Sequence, residues 1–163
     1  MRLFVAVQLS DELKKSITAT LHDLKKEGVR GNYVPMQNLH LTLAFIGEVK
    51  DSESVKTALS GVKFKPFRLT LSQTGHFDDC FYVGVKGNQA LSGAARAVRD
   101  ALDAAGISYD RKKFIPHITL IRKMSGNKKQ LPEPKGEMMV KKISLMKSSL
   151  KDGKPVYTEI FSV

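Results

Sequence analysis

The stretch FIPHITLIR, residues 114–122, reads as a β-strand, with Ile115, Ile118, Leu120 and Ile121 as its apolar residues. His117 and Thr119 sit two apart in its middle, and side chains two apart on a strand share a face. A half-buried strand that presents an imidazole and a hydroxyl together asks for a partner elsewhere. It lies upstream in NLHLTLAFIG, residues 38–47, where His40-Leu41-Thr42-Leu43 repeats His117-Ile118-Thr119-Leu120.

The elements around the two motifs repeat as well. Residues 2–9, RLFVAVQL, are apolar and β-branched and read as a strand. Ser10 is placed as an N-cap, Asp11 and Glu12 fall in a first helical turn, and Leu13, Ile17, Leu21 and Leu24 follow at helical spacing up to a stop at Gly28. Residues 80–86 read as a strand, and about 88–105 as a helix carrying Leu91, Ala94, Ala95, Val98, Ala101, Leu102 and Ala105, ended by Gly106. The order strand–helix–motif strand therefore occurs twice. His40 lies 77 residues before His117, Phe4 lies 77 before Phe81, and Gly28 aligns with Gly106 at 78. The pattern predicts an internal duplication, with halves of about 1–62 and 67–163 in one domain of two lobes spanning 1–163.

Between these elements, Gly31 and Pro35 predict a turn, and 51–62 a short helix capped by Asp51 or Ser52. Residues 67–73 read as a strand joined to 80–86 by the turn-rich TGHFDD. KMSGNKKQLPEPKGE, 123–137, has the composition of a long loop. MMVKKISLMKSSL and PVYTEIFSV then finish the chain as two strands around KDGK.

A lone histidine on a strand is more often a hydrogen-bonded structural residue than a catalyst, and threonine is a good strand former. From this composition, one histidine begins a His-aliphatic-Thr-aliphatic pattern by chance about one time in a hundred, and two of four do so about once in 2,000. Duplication could copy a structural motif, but a structural role does not need histidine at both sites. If the halves pack about a pseudo-two-fold axis, two imidazoles and two hydroxyls converge across a cleft. That set suits in-line displacement at phosphorus. A neutral histidine takes a proton from the nucleophile and a protonated one supplies the leaving oxygen, both states being accessible near a pKa of ~6.5. The threonine hydroxyls can donate to non-bridging phosphate oxygens. The near-symmetry of the motifs leaves open which histidine is acid and which is base. No metal or cofactor is expected, because no further His, Cys or acidic residue has ligand spacing near either motif.

Composition points the same way. Lys plus Arg number 27 against 16 Asp plus Glu, a net charge of +11, which favours a polyanionic partner. The excess crowds the second half, in Arg111-Lys112-Lys113, Lys128-Lys129 and Lys141-Lys142 among others. No apolar run approaches the ~18 residues of a membrane helix. The N-terminal apolar run is followed at once by acidic residues and lacks a small-residue cleavage site, so it reads as a strand and not a leader. The single Cys80 excludes an internal disulfide and suits a reducing, cytoplasmic setting.

NLHLTLAFIG and FIPHITLIR, with RLFVAVQL at the start, resemble the 2H phosphoesterase superfamily, and within it the RNA 2′,3′-cyclic phosphodiesterases, also called the 2′-5′ RNA ligase family. The resemblance covers essentially the whole chain. It includes Phe45 and Gly47 after the first motif and Phe114, Pro116 and Arg122 around the second, while Tyr33 stands where the family often has tryptophan. It implies a bilobal α+β fold with two antiparallel sheets lining a central groove and helices outside. It implies hydrolysis of a 2′,3′-cyclic phosphate at an RNA end to a 2′-phosphomonoester, with His40 as proton donor, His117 as proton acceptor and Thr42 and Thr119 on the phosphate. Reverse joining through a 2′-5′ bond is also associated with the family.

Arg122 is on the opposite face parity from His117; either a twist or strand end brings its guanidinium to the phosphate, or it has a plain surface role. Phe45 is expected in the core, the alternative being a stack on a base, His22 on the surface, and His76 in a turn rather than beside a metal with Asp78 and Asp79. The basic clusters either guide RNA or are plain solvated charge. Substrates short of a full RNA, including tRNA fragments, small cyclic nucleotides or 2′-5′ oligonucleotides, remain alternatives. A non-catalytic RNA-binding module is disfavoured, since pure binding is served as well by Lys or Arg. Nothing indicates a protein partner, and a monomer is expected.

Overall fold

The computed structural model describes residues 1–126 and 132–163. In chain order the elements are β1 (Arg2–Gln8), α1 (Asp11–Lys26), β2 (Arg30–Tyr33), a 3-10 turn (Met36–Asn38), β3 (His40–Glu48), α2 (Glu53–Ser60), β4 (Phe67–Phe77), β5 (Cys80–Val85), α3 (Gln89–Ala104), β6 (His117–Ser125), β7 (Glu137–Val140), β8 (Ser144–Lys151) and β9 (Lys154–Ser162). They build two sheets, β3-β1-β8-β9 and β2-β6-β5-β4-β7. Every strand pairing is antiparallel.

The two long helices form where their patterns place them. The Ser10 hydroxyl accepts the Leu13 N–H at 3.2 Å, and the Asn88 side-chain oxygen accepts the Leu91 N–H at 2.8 Å. Each cap satisfies a donor that the first helical turn leaves unpaired. The apolar stripes Leu13, Ile17, Leu21, Leu24 and Leu91, Ala94, Ala95, Val98, Leu102 are buried. They join one continuous core with Leu41, Leu43, Ile118 and Leu120 from the motif strands.

The duplication is visible in register. In the first sheet His40 faces Gln8 and Thr42 faces Ala6. In the second, His117 faces Gly84 and Thr119 faces Tyr82. The motifs are 77 apart but their partners are 76 apart. Phe4 therefore does not correspond to Phe81. Phe4 packs on the His40 ring at 4.9 Å between centroids, whereas Phe81 lies in the core at 1% exposure.

Each motif strand also carries a bulge just after its threonine. Thr42 and Ala44 oppose the consecutive residues Ala6 and Val5, and Thr119 and Ile121 oppose Tyr82 and Phe81. One extra residue, Leu43 or Leu120, sits in each motif strand. Leu43 and Ala44, like Leu120 and Ile121, are consecutive and both buried. Alternation resumes one residue out of step. The next residues, Phe45 and Arg122, thus emerge on the face of the histidines.

Several expectations change. The predicted turn at Gly31 is the strand β2 on the edge of the second sheet. A Cβ at Gly31 would stand 2.6 Å from the Ile121 side chain and 2.9 Å from the Arg122 carbonyl, so glycine here serves close strand approach. TGHF continues β4, and the reversal is only Asp78-Asp79, with Asp78 at φ +53°. Gly75 belongs to the strand because a Cβ there would meet the Tyr82 hydroxyl at 2.5 Å. The strand expected over 114–122 begins at His117 and runs to Ser125, after Pro116 has given its carbonyl to the Val85 N–H at 3.0 Å. MMVKKISLMKSSL is two strands, β7 in the second sheet and β8 in the first. Each sheet draws on both halves of the sequence: β2 joins β6, and the β8–β9 hairpin joins β1. No helix among the described residues is long and apolar enough to cross a membrane.

Candidate active site

Both motif histidines are held the same way. The His40 Nδ1 lies 2.7 Å from the Asn38 carbonyl oxygen, and the His117 Nδ1 lies 2.6 Å from the Ile115 carbonyl oxygen. A carbonyl oxygen can only accept, so Nδ1 carries the proton in each neutral ring and donates it. That leaves each Nε2 as the nitrogen that gains and loses a proton. The His40 Nε2 lies 2.9 Å from the Thr42 hydroxyl oxygen. Across the groove, the Cys80 Sγ stands 4.0 Å from the Thr119 hydroxyl oxygen.

The histidines open onto adjoining cavities. One of about 600 Å³ is lined by His40, Thr42, Phe4, Tyr157, Phe45 and Arg122, among others. The other, of about 490 Å³, is lined by His117, Phe77, Phe114, Ile115, Thr42 and Phe45, among others. They share Thr42 and Phe45, so the two motifs border one continuous groove. Arg122, carried by the second sheet, reaches the His40 cavity because the bulge in β6 has turned it there. Phe45 is its counterpart on β3, 38% exposed and not in the core as expected, with the Arg2 guanidinium 5.4 Å from its ring.

The two imidazoles have different surroundings. His40 packs against Phe4 and meets the Tyr157 ring edge-on at 5.4 Å. Phe77 and Tyr82, stacked at 4.5 Å, present their rings to His117 at 5.2 and 5.3 Å. Burial pushes the His40 pKa below the usual histidine value. The Asn38 carbonyl opposes that shift, and the charges of Arg122, His117 and Lys14 reinforce it. In the empty groove His40 is thus biased towards its neutral form.

Other expected residues lie apart. His22 is exposed on α1. His76 is in β4, its ring 5.3 Å from that of Phe81, and among the described residues no group of His, Cys, Asp and Glu could hold a metal ion. Tyr33 donates its hydroxyl to the Val29 carbonyl at 2.7 Å. Arg111 is occupied by an ion pair with Asp103 at 2.6 Å, while Lys112 and Lys113 line the His117 cavity. Lys128 and Lys129 lie outside the described residues. Sequence reasoning missed Phe4, Asn38 and Tyr157. Asn38 alone had a local signal, two residues before the histidine as Ile115 is in the second motif. Phe4 and Tyr157 reach His40 only through sheet pairing.

The chain as a whole has relatives among known proteins. The sequence fits the 2′-5′ RNA ligase superfamily over residues 11–152. The chain belongs to the 2′-5′ RNA ligase superfamily. Within this superfamily it is 33% identical to an RNA 2′,3′-cyclic phosphodiesterase of Archaeoglobus fulgidus, over 98% of each chain. It is 30% identical to one of Methanocaldococcus jannaschii, again over 98% of each. The structure resembles E. coli LigT complexed with 3′-AMP with a TM-score of 0.83 at 29% identity, covering 99% of this chain and 95% of that one. LigT complexed with phosphate gives 0.80 at 29%, with the same coverage. Membership in the superfamily and the shared α+β fold of two antiparallel sheets place the chain among the cyclic phosphodiesterases of the 2H type.

Proposed function

We propose that the protein hydrolyses 2′,3′-cyclic phosphate ends of RNA to 2′-phosphomonoesters by two-histidine acid–base catalysis, without a metal. The observation that carries this reading is the matched anchoring of His40 and His117. Each has Nδ1 on a main-chain carbonyl two residues upstream, and each borders the same groove. The printed activity of the curated relatives supports the substrate class.

In this mechanism the His117 Nε2 takes a proton from water as its oxygen bonds to phosphorus. The P–O3′ bond breaks on the opposite side, and the His40 Nε2 gives its proton to the departing 3′-oxygen. Phosphate stays on the 2′-oxygen. Thr42, Thr119 and Arg122 hold the non-bridging oxygens, where charge grows in the transition state. His40 must carry a proton for its part, although burial and its cationic neighbours favour the neutral ring in the empty groove. The anionic cyclic phosphate opposes the field of those cations on arrival and raises the His40 pKa against the effect of burial, and the proton enters His40 with the substrate. Reverse attack by a 5′-hydroxyl would make a 2′-5′ bond, a reaction that bulk water opposes. Residues 1–163 act as one domain, each lobe supplying one motif. The free thiol of Cys80 suits a cytoplasmic setting, and the monomer is the working unit.

The test is incubation with an oligonucleotide ending in 2′,3′-cyclic phosphate, in excess EDTA, followed by identification of the product. A 2′-phosphate end is expected. No turnover, or turnover unchanged in His40→Ala and His117→Ala, would refute the assignment.

A further inference from the structure

The β8–β9 hairpin has a feature that chemistry at the cyclic phosphate does not use. β1 pairs with β8 only from Ser144 to Ser148, while β8 and β9 stay paired out to Lys151 and Lys154. The last pairs therefore project as a two-stranded ribbon with no third strand among the described residues. At its tip Leu150 is 76% exposed, the most exposed large hydrophobic residue among those described. Leu150 nonetheless lines the cavity of His40, with Ser148 and Tyr157. Register places Leu150 opposite Pro155 and Ser148 opposite Tyr157, so an apolar stripe leads from the ring beside His40 out along one face of the ribbon.

The ribbon is fixed in that position. Asn38, 4% exposed, donates its side-chain amide to the Pro155 carbonyl at 3.0 Å, while its own carbonyl holds His40. The same residue thus ties the hairpin to the acid–base site. The end of the ribbon is basic: Lys151 and Lys154, paired across the turn, and Lys147 on β8 alternate onto the face opposite Leu150 and Pro155, so a strand laid over the tip meets both faces at its edge. Among the described residues none of these three lysines is in an ion pair.

We propose that the β8–β9 tip is a strand-binding arm that holds the RNA beyond its terminal nucleotide. Leu150 gives an apolar face for a base, and Lys151 and Lys154 meet backbone phosphates. The proposal rests on the function proposed above and narrows its substrate class, making a single-stranded oligonucleotide, and not a cyclic mononucleotide, the preferred substrate. Apolar contact to a base combined with cationic contact to the backbone is the usual chemistry of sequence-tolerant single-strand binding.

The experiment compares kcat/KM for 2′,3′-cyclic AMP and for a ten-nucleotide RNA ending in 2′,3′-cyclic phosphate. The proteins are the wild type, Leu150→Ser and the double variant Lys151→Gln/Lys154→Gln, with melting temperatures checked because the tip contributes little to the core. The wild type is expected to prefer the RNA, and the lysine variant to lose about tenfold on the RNA while changing less than about twofold on the mononucleotide. The slope of log kcat/KM for RNA against log salt should become shallower by about 1.4, roughly 0.7 for each phosphate contact removed. Leu150→Ser should lower the RNA value with no change in salt slope. Equal losses on both substrates, or no loss on RNA, overturn the arm. A wild type that turns over neither substrate instead overturns the functional reading and the arm with it.

Discussion

Replacing Arg122 with glutamine should produce two effects of opposite sign, both traceable to the bulge in β6. The bulge brings the guanidinium into the cavity that holds His40 and Thr42. Removing a charged hydrogen bond to a phosphate oxygen costs about 1.5–3 kcal/mol, which at ~1.4 kcal/mol per decade lowers kcat/KM by about 10- to 150-fold. The same charge helps hold the His40 pKa down. Without it the pKa rises towards its ordinary value. His40 is the proposed acid, so the limb of kcat/KM that reports its ionisation must move to higher pH in Arg122→Gln. Arg122→Lys keeps the charge but not the planar fork. It should fall between wild type and Arg122→Gln in rate and leave the limb nearly in place. The assay is kcat/KM on an RNA with a cyclic phosphate end, from about pH 5 to pH 9, where histidine titrates. An unchanged rate, or a pH profile in which neither limb moves to higher pH in Arg122→Gln, would refute the placement of Arg122 against phosphate and His40.

His40→Ala and His117→Ala should each lower kcat by about 10²–10⁴. The double variant should be little worse than the poorer single one, because the pair acts as a unit; multiplicative losses in single-turnover assays would argue for separate roles. The limb that reports His40 should lie at higher pH in kcat than in kcat/KM, since bound substrate anion raises the His40 pKa that burial holds down; identical pH profiles would contradict proton uptake with substrate. The same depressed pKa has a stability consequence. The unfolded chain binds a proton at ~6.5 and the folded chain only below that, so His40 favours folding fully above ~6.5 and loses that contribution as pH falls through its folded value. His40→Gln should flatten this dependence in urea titrations at several pH values, and an unchanged slope would remove burial as the cause. Finally, Gly31→Ala forces a Cβ to 2.6 Å from Ile121 and should cost about 1–3 kcal/mol of stability. A neutral result by denaturation would mean that β2 does not pair with β6.

Much of the site was legible because its signals are local. Helix periodicity, the cap Ser10, and a four-residue motif occurring twice each depend on residues within a turn or a strand of one another. Gly31 and Gly75 misled for an instructive reason. Glycine commonly marks turns, but here the missing side chain makes room for Ile121 and the Tyr82 hydroxyl on neighbouring strands. A single strand's sequence does not identify its neighbour. Arg122 and Phe45 misled through parity. Simple alternation puts both on the core side, and only the cross-strand register reveals the extra residue that turns them out.

The sequence by itself determined the chemistry available, two imidazoles and two hydroxyls on equivalent strands, because alternation along a strand dictates which side chains travel together. Tertiary structure decided what surrounds them. Pairing β8 and β9 onto β1 brings Tyr157 and Leu150 to the cavity of His40, and bulges in β3 and β6 turn Phe45 and Arg122 into the groove. Those placements depend on contacts between residues far apart in the chain. The difference between the buried environment of His40 and that of its repeat partner His117 therefore appears only when the sheets are assembled.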